Sequence, residues 1–584
     1  MPKKQKGVCY MIKKILKSVR EYKKHSILTP MFMLGEVLME VLIPFFMAKL
    51  LDKGIELGDM SSILYYGVCL LVCAIFSLIF GMMSARSASI ASNGFAKNLR
   101  HDLYYKVQDY SFKNIDKYST SSIITRLTTD VSNVQNSYQM SIRMAVRAPL
   151  MFIFSLIMAF TINGKISLMF LIIVPILFGL LILIAKLAHP YFERVFKTYD
   201  EINNVVKENV NGVRVVKSYV QENHEVEKFS KVSEKIYRLF TKAEKMVCSN
   251  SALMDISMYS AMIIISFLGA KSIVSGTMTT GELASLFTYS MSILSSLMML
   301  SMIYVMIIIS LPSMKRVVEI LDEKPDLQSP KNGIAKVKDG SIEFKDVDFS
   351  YVGNPNKLSL KDVNLKIESG QTIGIIGATG SSKSTLVNLI PRLYDTTLGE
   401  VLVGGKNVKD YDLEVLRNEV SMVLQKNVLF SGTIKENLLW GNEHATDEEI
   451  EKACEIAQAT EFINKLPGGL DYFIEQGATN VSGGQKQRLC IARALLKNPK
   501  IIIFDDSTSA CDTVTDARIR EGLNEWMPNV TKIIIAQRIA SIEDADKVII
   551  IDEGRILDFD TPKNLLKTSK IYKEIYNSQK KGVK

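Results

Sequence analysis

Residues 377–385 read Gly-Ala-Thr-Gly-Ser-Ser-Lys-Ser-Thr, and this stretch decides the fold of the second half of the chain. The apolar run 372–376 before it predicts a buried strand, and the run 386–390 after it predicts the first turns of a helix. A strand, a glycine-bearing loop and a helix N-terminus together bind phosphate, because the backbone N–H groups and the helix dipole point at the anion. In such a loop Lys383 provides a positive charge for the β- and γ-phosphates, and the Ser384 hydroxyl can bind Mg²⁺. The predicted phosphate-binding residues are Gly377, Ala378, Thr379, Gly380, Ser381, Ser382, Lys383, Ser384 and Thr385.

One position of this loop departs from the usual pattern. The pattern G-x-x-x-x-G-K-[ST] has glycine before the lysine, and this chain has Ser382 there. Glycine at that position permits a close backbone approach and a positive φ, which serine adopts less readily. The effect of Ser382 on nucleotide affinity is left open by the sequence.

The two halves of the 584-residue chain differ in composition. The chain is too long for one compact core, and its first 320 residues contain long apolar runs, each near the roughly 20 residues that a membrane span needs. Six spans are predicted, at about 27–51, 62–84, 140–162, 166–187, 248–274 and 284–310. The predicted domains are a basic N-terminus at 1–25, a membrane domain at 26–320, a linker at 321–340 and a nucleotide-binding domain at 341–584.

The charged residues predict how these spans are oriented. The net charge of +10 could indicate a nucleic-acid partner, but the basic residues cluster beside apolar runs, which favours a lipid bilayer as partner and no nucleic acid. The N-terminus and the long segments 85–139 and 188–247 are rich in Lys and Arg, whereas the other inter-span segments are short and hold few. The positive-inside rule therefore predicts a cytoplasmic-membrane protein with its N-terminus and nucleotide-binding domain in the cytoplasm. No cleavable signal peptide is evident. Apolar residues at helical spacing in 98–107 and 201–217 predict that membrane helices continue into the cytoplasm.

Several further motifs follow the phosphate-binding loop in a characteristic order. A predicted strand before the loop ends at Tyr351, and Gln425 follows a short apolar run. Ser-Gly-Gly-Gln at 482–485 precedes a predicted helix. A buried strand ends in Asp505 and Asp506, followed by Ser-Ala-Cys-Asp at 509–512, and another strand ends before Gln537. In this order and spacing the motifs resemble the ATP-binding-cassette (ABC) transporter family, and the six spans before them resemble an exporter-type half-transporter. The expected fold is an α-helical six-span transmembrane domain followed by an α/β P-loop nucleotide-binding domain.

The resemblance implies a role for each motif. Tyr351 would stack on adenine, the loop 377–385 would wrap the phosphates of ATP, and Ser384, Gln425 and Asp505 would hold Mg²⁺ directly or through water. The Ser-Gly-Gly-Gln motif is the signature of the family, and its residues here are Ser482, Gly483, Gly484 and Gln485. These signature residues would contact the γ-phosphate of a nucleotide on a second half-transporter chain, because they cannot reach the phosphate-binding loop of their own chain. Segments 114–121 and 210–218 fall where the family has short coupling helices.

Three positions differ from the family pattern, and all three lie on the chain's own ATP site. Asp506 stands where the family has a glutamate that polarises water, Gln537 stands where it has a histidine, and Ser382 precedes the catalytic Lys383. The signature is intact. This combination resembles the degenerate-site subunit of heterodimeric multidrug ABC exporters, which would bind ATP, hydrolyse it poorly and complete a competent site on a different partner chain. A homodimer with two slow sites is the alternative.

Two carboxylates lie in the first predicted span. Glu36 and Glu40 are spaced i, i+4, so they share a helix face. Carboxylates within a membrane are costly and indicate function. They would contact a cationic substrate, or alternatively form ion pairs with Arg143 or Arg147.

The sequence thus predicts ATP-driven export of small amphipathic compounds, multidrug or lipid-like. The alternatives are a homodimeric exporter of lipid or peptide, an importer with an exporter fold, and a non-pumping subunit that senses ATP. The transported small molecule is not specified by any motif.

Overall fold

The computed structural model describes residues 3–507 and 511–581, which form a helical unit and a mixed α/β unit. The helical unit comprises the chain up to Gln108 together with Thr120–Glu323, and the α/β unit comprises Asp109–Ser119 together with the chain from Lys324 onward. The predicted architecture, a helical domain with six candidate spans followed by an α/β domain, is confirmed.

The helical unit consists of long helices joined by a few short ones. They are Lys3–Ile15, Lys23–Lys49, Met60–Gln108, Thr120–Thr125, Val131–Ile162, Gly164–Ser167, Phe170–Ser218, Glu222–Val274 and Thr280–Asp322, with the 3₁₀ or π segments Leu16–Tyr22, Leu50–Ile55 and Arg126–Asp130 between some of them. Within the part of the chain that the structure describes, six helical stretches are long and apolar enough to cross a membrane. They are Gly7–Ile55, Met60–Gln108, Thr120–Ile162, Gly164–Ser218, Glu222–Val274 and Thr280–Asp322.

The helices are longer than the predicted spans, as their apolar periodicity indicated. Met60–Gln108 contains 49 residues and includes 98–107, and Phe170–Ser218 contains 49 residues and includes 201–217. The expectation of a separate short helix at 210–218 is wrong, because the long helix continues through these residues to Ser218. It ends only where Val220 adopts a φ of +54°. In the other segment a short helix is present at Phe112–Lys117, and it belongs to the α/β unit.

The core of the helical unit combines apolar packing with hydroxyl groups bonded to helix backbones. Met33, Val37 and Val41 of the first span are buried against the last long helix. From that helix the Tyr289 hydroxyl donates to the Val41 carbonyl at 2.7 Å, and the Ser285 hydroxyl donates to the Pro44 carbonyl at 2.5 Å. Such bonds satisfy polar side chains that burial removes from water.

The α/β unit is built on two main sheets. The larger has six strands in the spatial order Arg555–Asp560, Lys547–Asp552, Thr372–Ile376, Thr531–Ile535, Ile501–Asp505 and Val420–Val423. All neighbours in it are parallel except the first pair. An antiparallel sheet has the order Leu360–Ile367, Ile342–Phe349, Leu398–Val403 and Lys406–Asn407, and Gly432–Thr433 pairs with Phe473–Ile474.

Nine helices of at least six residues surround the sheets in the described part of this unit after Lys324. They are Lys383–Asn388, Leu413–Glu419, Ile434–Leu439, Asp447–Ile456, Thr460–Lys465, Gly483–Leu496, Thr513–Trp526, Pro562–Thr568 and Lys570–Lys581. Residues 324–340, expected to be a linker, belong to this unit, and Val337 among them is fully buried.

The register of the parallel strands positions the candidate site. Ile535 lies opposite Ile375 on one side and opposite Asp505 on the other. Three neighbouring strands therefore end at the same level, and the segments that follow them meet at one edge of the sheet. Ligands of open α/β sheets bind at such carboxyl ends.

Candidate functional site

The phosphate-binding loop connects strand Thr372–Ile376 to the helix that begins at Lys383. Ser382, the residue before that helix, has φ +78° and ψ +25°, which is the left-handed conformation. A side chain in this conformation costs about 1–2 kcal/mol per residue, because Cβ crowds the carbonyl oxygen that follows it. The fold therefore retains the backbone geometry that glycine favours, with a strained serine in its place.

The Lys383 ammonium lies over its own loop. Its Nζ donates to the carbonyl of Gly377 at 2.8 Å and to that of Ala378 at 2.7 Å. Burial lowers the pKa of Lys383, while the nearby carboxylates of Asp506 and Asp505 act in the opposite direction. A partly desolvated ammonium beside backbone N–H groups is suited to binding the β- and γ-phosphates of a nucleotide.

Asp505 and Ser384 form the centre of the candidate magnesium site. The Ser384 hydroxyl donates to Asp505 Oδ1 at 2.8 Å, and Asp505 is only 6% exposed. Burial raises the pKa of Asp505, and the charge of Asp506 raises it further, whereas the bond from Ser384 lowers it. A bound cation would offset the free-energy cost of keeping this buried carboxylate ionised. A carboxylate, a hydroxyl and the amide oxygen of Gln425, which lines the same cavity, are hard oxygen ligands of the kind that Mg²⁺ prefers.

These groups surround a cavity of about 820 Å³, large enough for a nucleotide. Of the sequence-predicted residues, it is lined by Tyr351, Gly377, Ala378, Thr379, Gly380, Ser382, Lys383, Ser384, Thr385, Gln425, Asp505, Asp506 and Gln537. Among the described residues of the loop, Ser381 alone does not line it, and this residue is buried.

Asp506 and Gln537 are in direct contact. The Gln537 side-chain amide donates to Asp506 Oδ2 at 2.7 Å. Asp506 has a φ of +50°, a conformation in which Asp is found more often than most residues. A carboxylate hydrogen-bonded to a neutral amide can hold a water molecule, but glutamine cannot become cationic as histidine can.

The aromatic end of the cavity contains a residue that sequence reasoning missed. The Tyr351 hydroxyl bonds the Thr385 hydroxyl at 3.1 Å, and the Tyr351 ring packs edge-on against Tyr394 with centroids 5.1 Å apart. The Tyr394 hydroxyl donates to Asp116 Oδ2 at 2.6 Å, and burial together with this contact raises the pKa of Tyr394. Asp116 lies on the short helix Phe112–Lys117, so one tyrosine links that helix to the predicted adenine-binding side chain.

The C-terminal helix Lys570–Lys581 also takes part in the site, and no sequence motif indicated it. Ile571 and Ile575 line the cavity, and Gln579 hydrogen-bonds the backbone on both sides of Arg538.

The signature residues lie at the N-terminus of helix Gly483–Leu496 and, in the described chain, do not line this cavity. The Ser482 hydroxyl accepts from the Gln485 N–H at 3.3 Å, and the Gln485 side chain accepts from the Ser482 N–H at 2.8 Å, which is a capping box. The N–H groups of Gly483 and Gly484 belong to the first turn, which has no intrahelical partners for them. Ser509 and Ala510 of the later motif lie outside the described residues.

In the helical unit, Glu36 and Glu40 both contact Arg147. The Arg147 guanidinium donates to Glu36 Oε1, and it donates to both carboxylate oxygens of Glu40 at 2.8 Å. Glu36 is 6% exposed, and Gly81 packs against its carboxylate so closely that a Cβ there would lie 3.3 Å from Cδ. The structure thus places both carboxylates in the ion-pair arrangement with Arg147, one of the two alternatives that the sequence left open.

Comparison with known proteins agrees with this architecture. Residues 27–298 match the family model of the ABC transporter transmembrane region, and residues 360–509 match that of the ABC transporter. The chain is 34% identical to the uncharacterized ABC transporter ATP-binding protein YfiB of Bacillus subtilis, over 97% of this chain and 98% of that protein. It is 32% identical to an ATP-dependent lipid A-core flippase of Desulfotalea psychrophila, over 83% of this chain and 84% of that one. The fold is similar to that of a bacterial Atm1-family ABC exporter with ATP bound, at a TM-score of 0.83 and 21% identity, covering 96% of this chain and 99% of that one.

The matches and the geometry lead to one assignment. The family models cover both units, and the relatives match this chain over most of its length. Half-transporters of this type are multi-pass membrane proteins that bind ATP and work as dimers. The chain therefore belongs to the ABC transporter family, as an exporter-type half-transporter in which a membrane region precedes an ATP-binding cassette.

Proposed function

We propose that this chain is the degenerate-site subunit of a heterodimeric exporter, which uses ATP to move small amphipathic compounds, multidrug or lipid-like, out across the cytoplasmic membrane. The observation that carries the proposal is the contact between Asp506 and Gln537. The two positions that should activate and orient the attacking water are occupied by a short carboxylate and a neutral amide that bind each other.

The length of Asp506 supports slow hydrolysis at this site. Its carboxylate is one methylene, about 1.5 Å, short of the family's glutamate, and a misplacement of ~1 Å can cost on the order of 10²-fold in rate. Gln537 can donate a hydrogen bond to a γ-phosphate, but it cannot add positive charge in the transition state.

ATP binding, by contrast, is supported by a complete set of groups. Lys383 and the N–H groups of the loop would hold the phosphates, and Tyr351 would cover the adenine. Ser384, Asp505 and Gln425 would hold Mg²⁺, which neutralises phosphate charge when bound. The site thus retains its binding groups and departs from the family at the groups for hydrolysis.

The signature residues support a catalytically competent partner. The capped N-terminus of helix Gly483–Leu496 presents backbone N–H groups, which suit an anionic γ-phosphate. We propose that they complete the ATP site of a different half-transporter chain, where hydrolysis takes place.

The distribution of Lys and Arg supports a cytoplasmic location of the N-terminus and the cassette. The long inter-span segments that carry these residues are the helical extensions of the membrane spans.

The charges on Glu36, Glu40 and Arg147 bear on the substrate. Two carboxylates share one guanidinium, which gives this group a formal charge of −1. We propose that the excess negative charge attracts the cationic part of an amphipathic substrate. Glu36→Gln should then slow export of cationic dyes more than export of neutral ones, and equal transport of both by this variant and the native chain would contradict it.

The test of the degenerate site uses this chain co-expressed with the half-transporter chain encoded beside its gene. ATP hydrolysis is compared for the lone chain, the pair, and the pair with alanine at Asp506 or at the corresponding carboxylate of the partner. We expect hydrolysis only by the pair, and its loss only with the partner's substitution. Lys383→Ala in this chain is the control that removes ATP binding from the degenerate site.

The competing functions give different results in the same preparation. A homodimer would be indicated if the lone chain hydrolyses ATP at the full rate and Asp506→Ala abolishes this hydrolysis. In vesicles, flux toward the side of the membrane that carries the cassettes would indicate an importer. ATP hydrolysis without ATP-dependent flux would indicate a regulatory subunit.

A further inference from the structure

The C-terminal helix Lys570–Lys581 is anchored beside the candidate ATP site. Tyr572 in its first turn is 1% exposed and belongs to the core of the cassette, together with Ile539 and Ile542. Ile571 and Ile575 form part of the cavity wall. These apolar contacts fix the first two turns of the helix, so the later turns are directed along the segment that follows strand Thr531–Ile535.

Gln579 on the later turns binds the backbone of that segment. Its Oε1 accepts from the N–H of Ile539 at 2.8 Å, and its Nε2 donates to the carbonyl of Gln537 at 2.8 Å. Residues 536–538 lie between a strand and a 3₁₀ helix, where neither element supplies all the backbone partners. A glutamine side chain has both a donor and an acceptor, so one residue can satisfy both groups.

These bonds fix the residue that contacts Asp506. The main chain of Gln537 is held at its carbonyl, and its side chain donates to Asp506 Oδ2 at 2.7 Å. From this geometry we infer that Gln579 is a positioning residue of the ATP site, which holds residues 537–539 so that the Gln537 amide stays on Asp506. The functional part of the inference rests on the proposed role of Gln537 and Asp506 at that site.

Amide hydrogen exchange of the full chain in lipid nanodiscs tests the inference directly. Gln579→Leu removes both hydrogen bonds at similar side-chain volume, and we expect exchange in 536–541 to rise about tenfold, with 377–385 unchanged. Gln579→Glu keeps the acceptor for Ile539 and loses the donor to Gln537, so it should give a smaller rise. Asn577→Leu makes a similar change on an exposed position of the same helix and should alter neither segment.

A double substitution tests whether Gln579 acts through Gln537. In the assembled transporter, the change that Gln579→Leu makes in ATP affinity or hydrolysis should disappear when Gln537→Ala is also present, because contacting residues that act as a unit are not additive.

Three results would overturn the inference. The first is unchanged exchange in 536–541, the second is an equal rise in 377–385, and the third is raised exchange with unaltered ATP affinity and hydrolysis. The exchange measurement does not require hydrolysis at this site, so the assignment of Gln579 and the degenerate-site proposal can fail separately.

Discussion

Replacing Ser382 with glycine should stabilise the cassette, because Ser382 is held in a left-handed conformation at φ +78° and ψ +25°. Relief of that conformation is worth about 1–2 kcal/mol. Glycine loses more conformational freedom on folding, which costs about 0.5–1 kcal/mol. The balance is a stabilisation of about 0.5–1 kcal/mol, or a rise in Tm of roughly 1–4 °C for a unit of this size.

Tryptophan fluorescence is a selective assay for this effect. Trp440 and Trp526 are the two tryptophans of the chain, and both lie in the α/β unit. A thermal scan of the full chain followed by their emission therefore reports on the cassette. Ser382→Ala is the matched control, because it removes the hydroxyl and keeps the left-handed strain.

The affinity for ATP shows whether the strain at Ser382 is the same in the free and the ATP-bound cassette. If the strain is equal in the free and ATP-bound states, Ser382→Gly leaves Kd within about twofold, because a substitution changes affinity only through its differential effect on the two states. We expect this outcome. The reasoning is refuted if Ser382→Gly lowers Tm, or if Ser382→Ala raises Tm by as much.

Three further predictions concern buried or shared charges. Asp505→Asn should raise the Tm of the cassette at pH 7 without nucleotide. Burial raises the pKa of Asp505 in the folded cassette, so the ionised carboxylate destabilises the fold at pH 7. The gain in Tm from Asp505→Asn should therefore shrink as the pH falls through the raised pKa toward about 3.9, the pKa of an unfolded Asp. A gain that grows on acidification would contradict this. Tyr394→Phe removes the bond to Asp116 and should speed amide exchange in 109–119 about tenfold, which corresponds to about 1.4 kcal/mol; unchanged exchange would show that the bond does not order this segment. Arg147→Met leaves Glu36 buried without its cation, which should cost about 3–5 kcal/mol in thermal-stability assays of the purified transporter and should be largely reversed by adding Glu36→Gln. The idea fails if the double variant is no more stable than the single one.

The parts of the molecule that the sequence predicted are those with a local physical cause. A strand, a glycine-bearing loop and the beginning of a helix all lie within nineteen residues, so the phosphate-binding geometry follows from neighbours in the chain. The six spans follow from apolar length. The resemblance assigned Asp506 and Gln537 to the same ATP site, but their direct contact was not predicted and depends on the parallel strands that precede them.

The contacts that the sequence did not predict join residues far apart in the chain. Tyr394 and Asp116 are separated by 278 positions, and neither belongs to a motif. Gln579 acts through backbone groups, which leave no pattern in residue types. The sequence also left open which arginine pairs with Glu36 and Glu40, because Arg143 and Arg147 lie on the same helix face.

The expected short helix at 210–218 shows how a resemblance can mislead. The family analogy indicated a separate element, whereas the residues themselves have helical spacing and contain no proline. A helix continues while each added residue gains a hydrogen bond, so it ends at the turn Tyr219–Gln221 and not before.

The lengths of the helices in the helical unit have a mechanical consequence. Helices Phe170–Ser218 and Glu222–Val274 contain 49 and 53 residues, pack side by side and are joined by three residues. Each is roughly 75–80 Å long, while a bilayer core is about 30 Å thick, so about 45 Å of the pair extends beyond the lipid. Lys228 and Lys235 pair with Glu208 and Glu201 across the two helices at 2.8 and 2.7 Å. A tilt of about 10° at the membrane surface would then displace the far end by roughly 8 Å, so a small angular change among the spans becomes a translation larger than one helical turn.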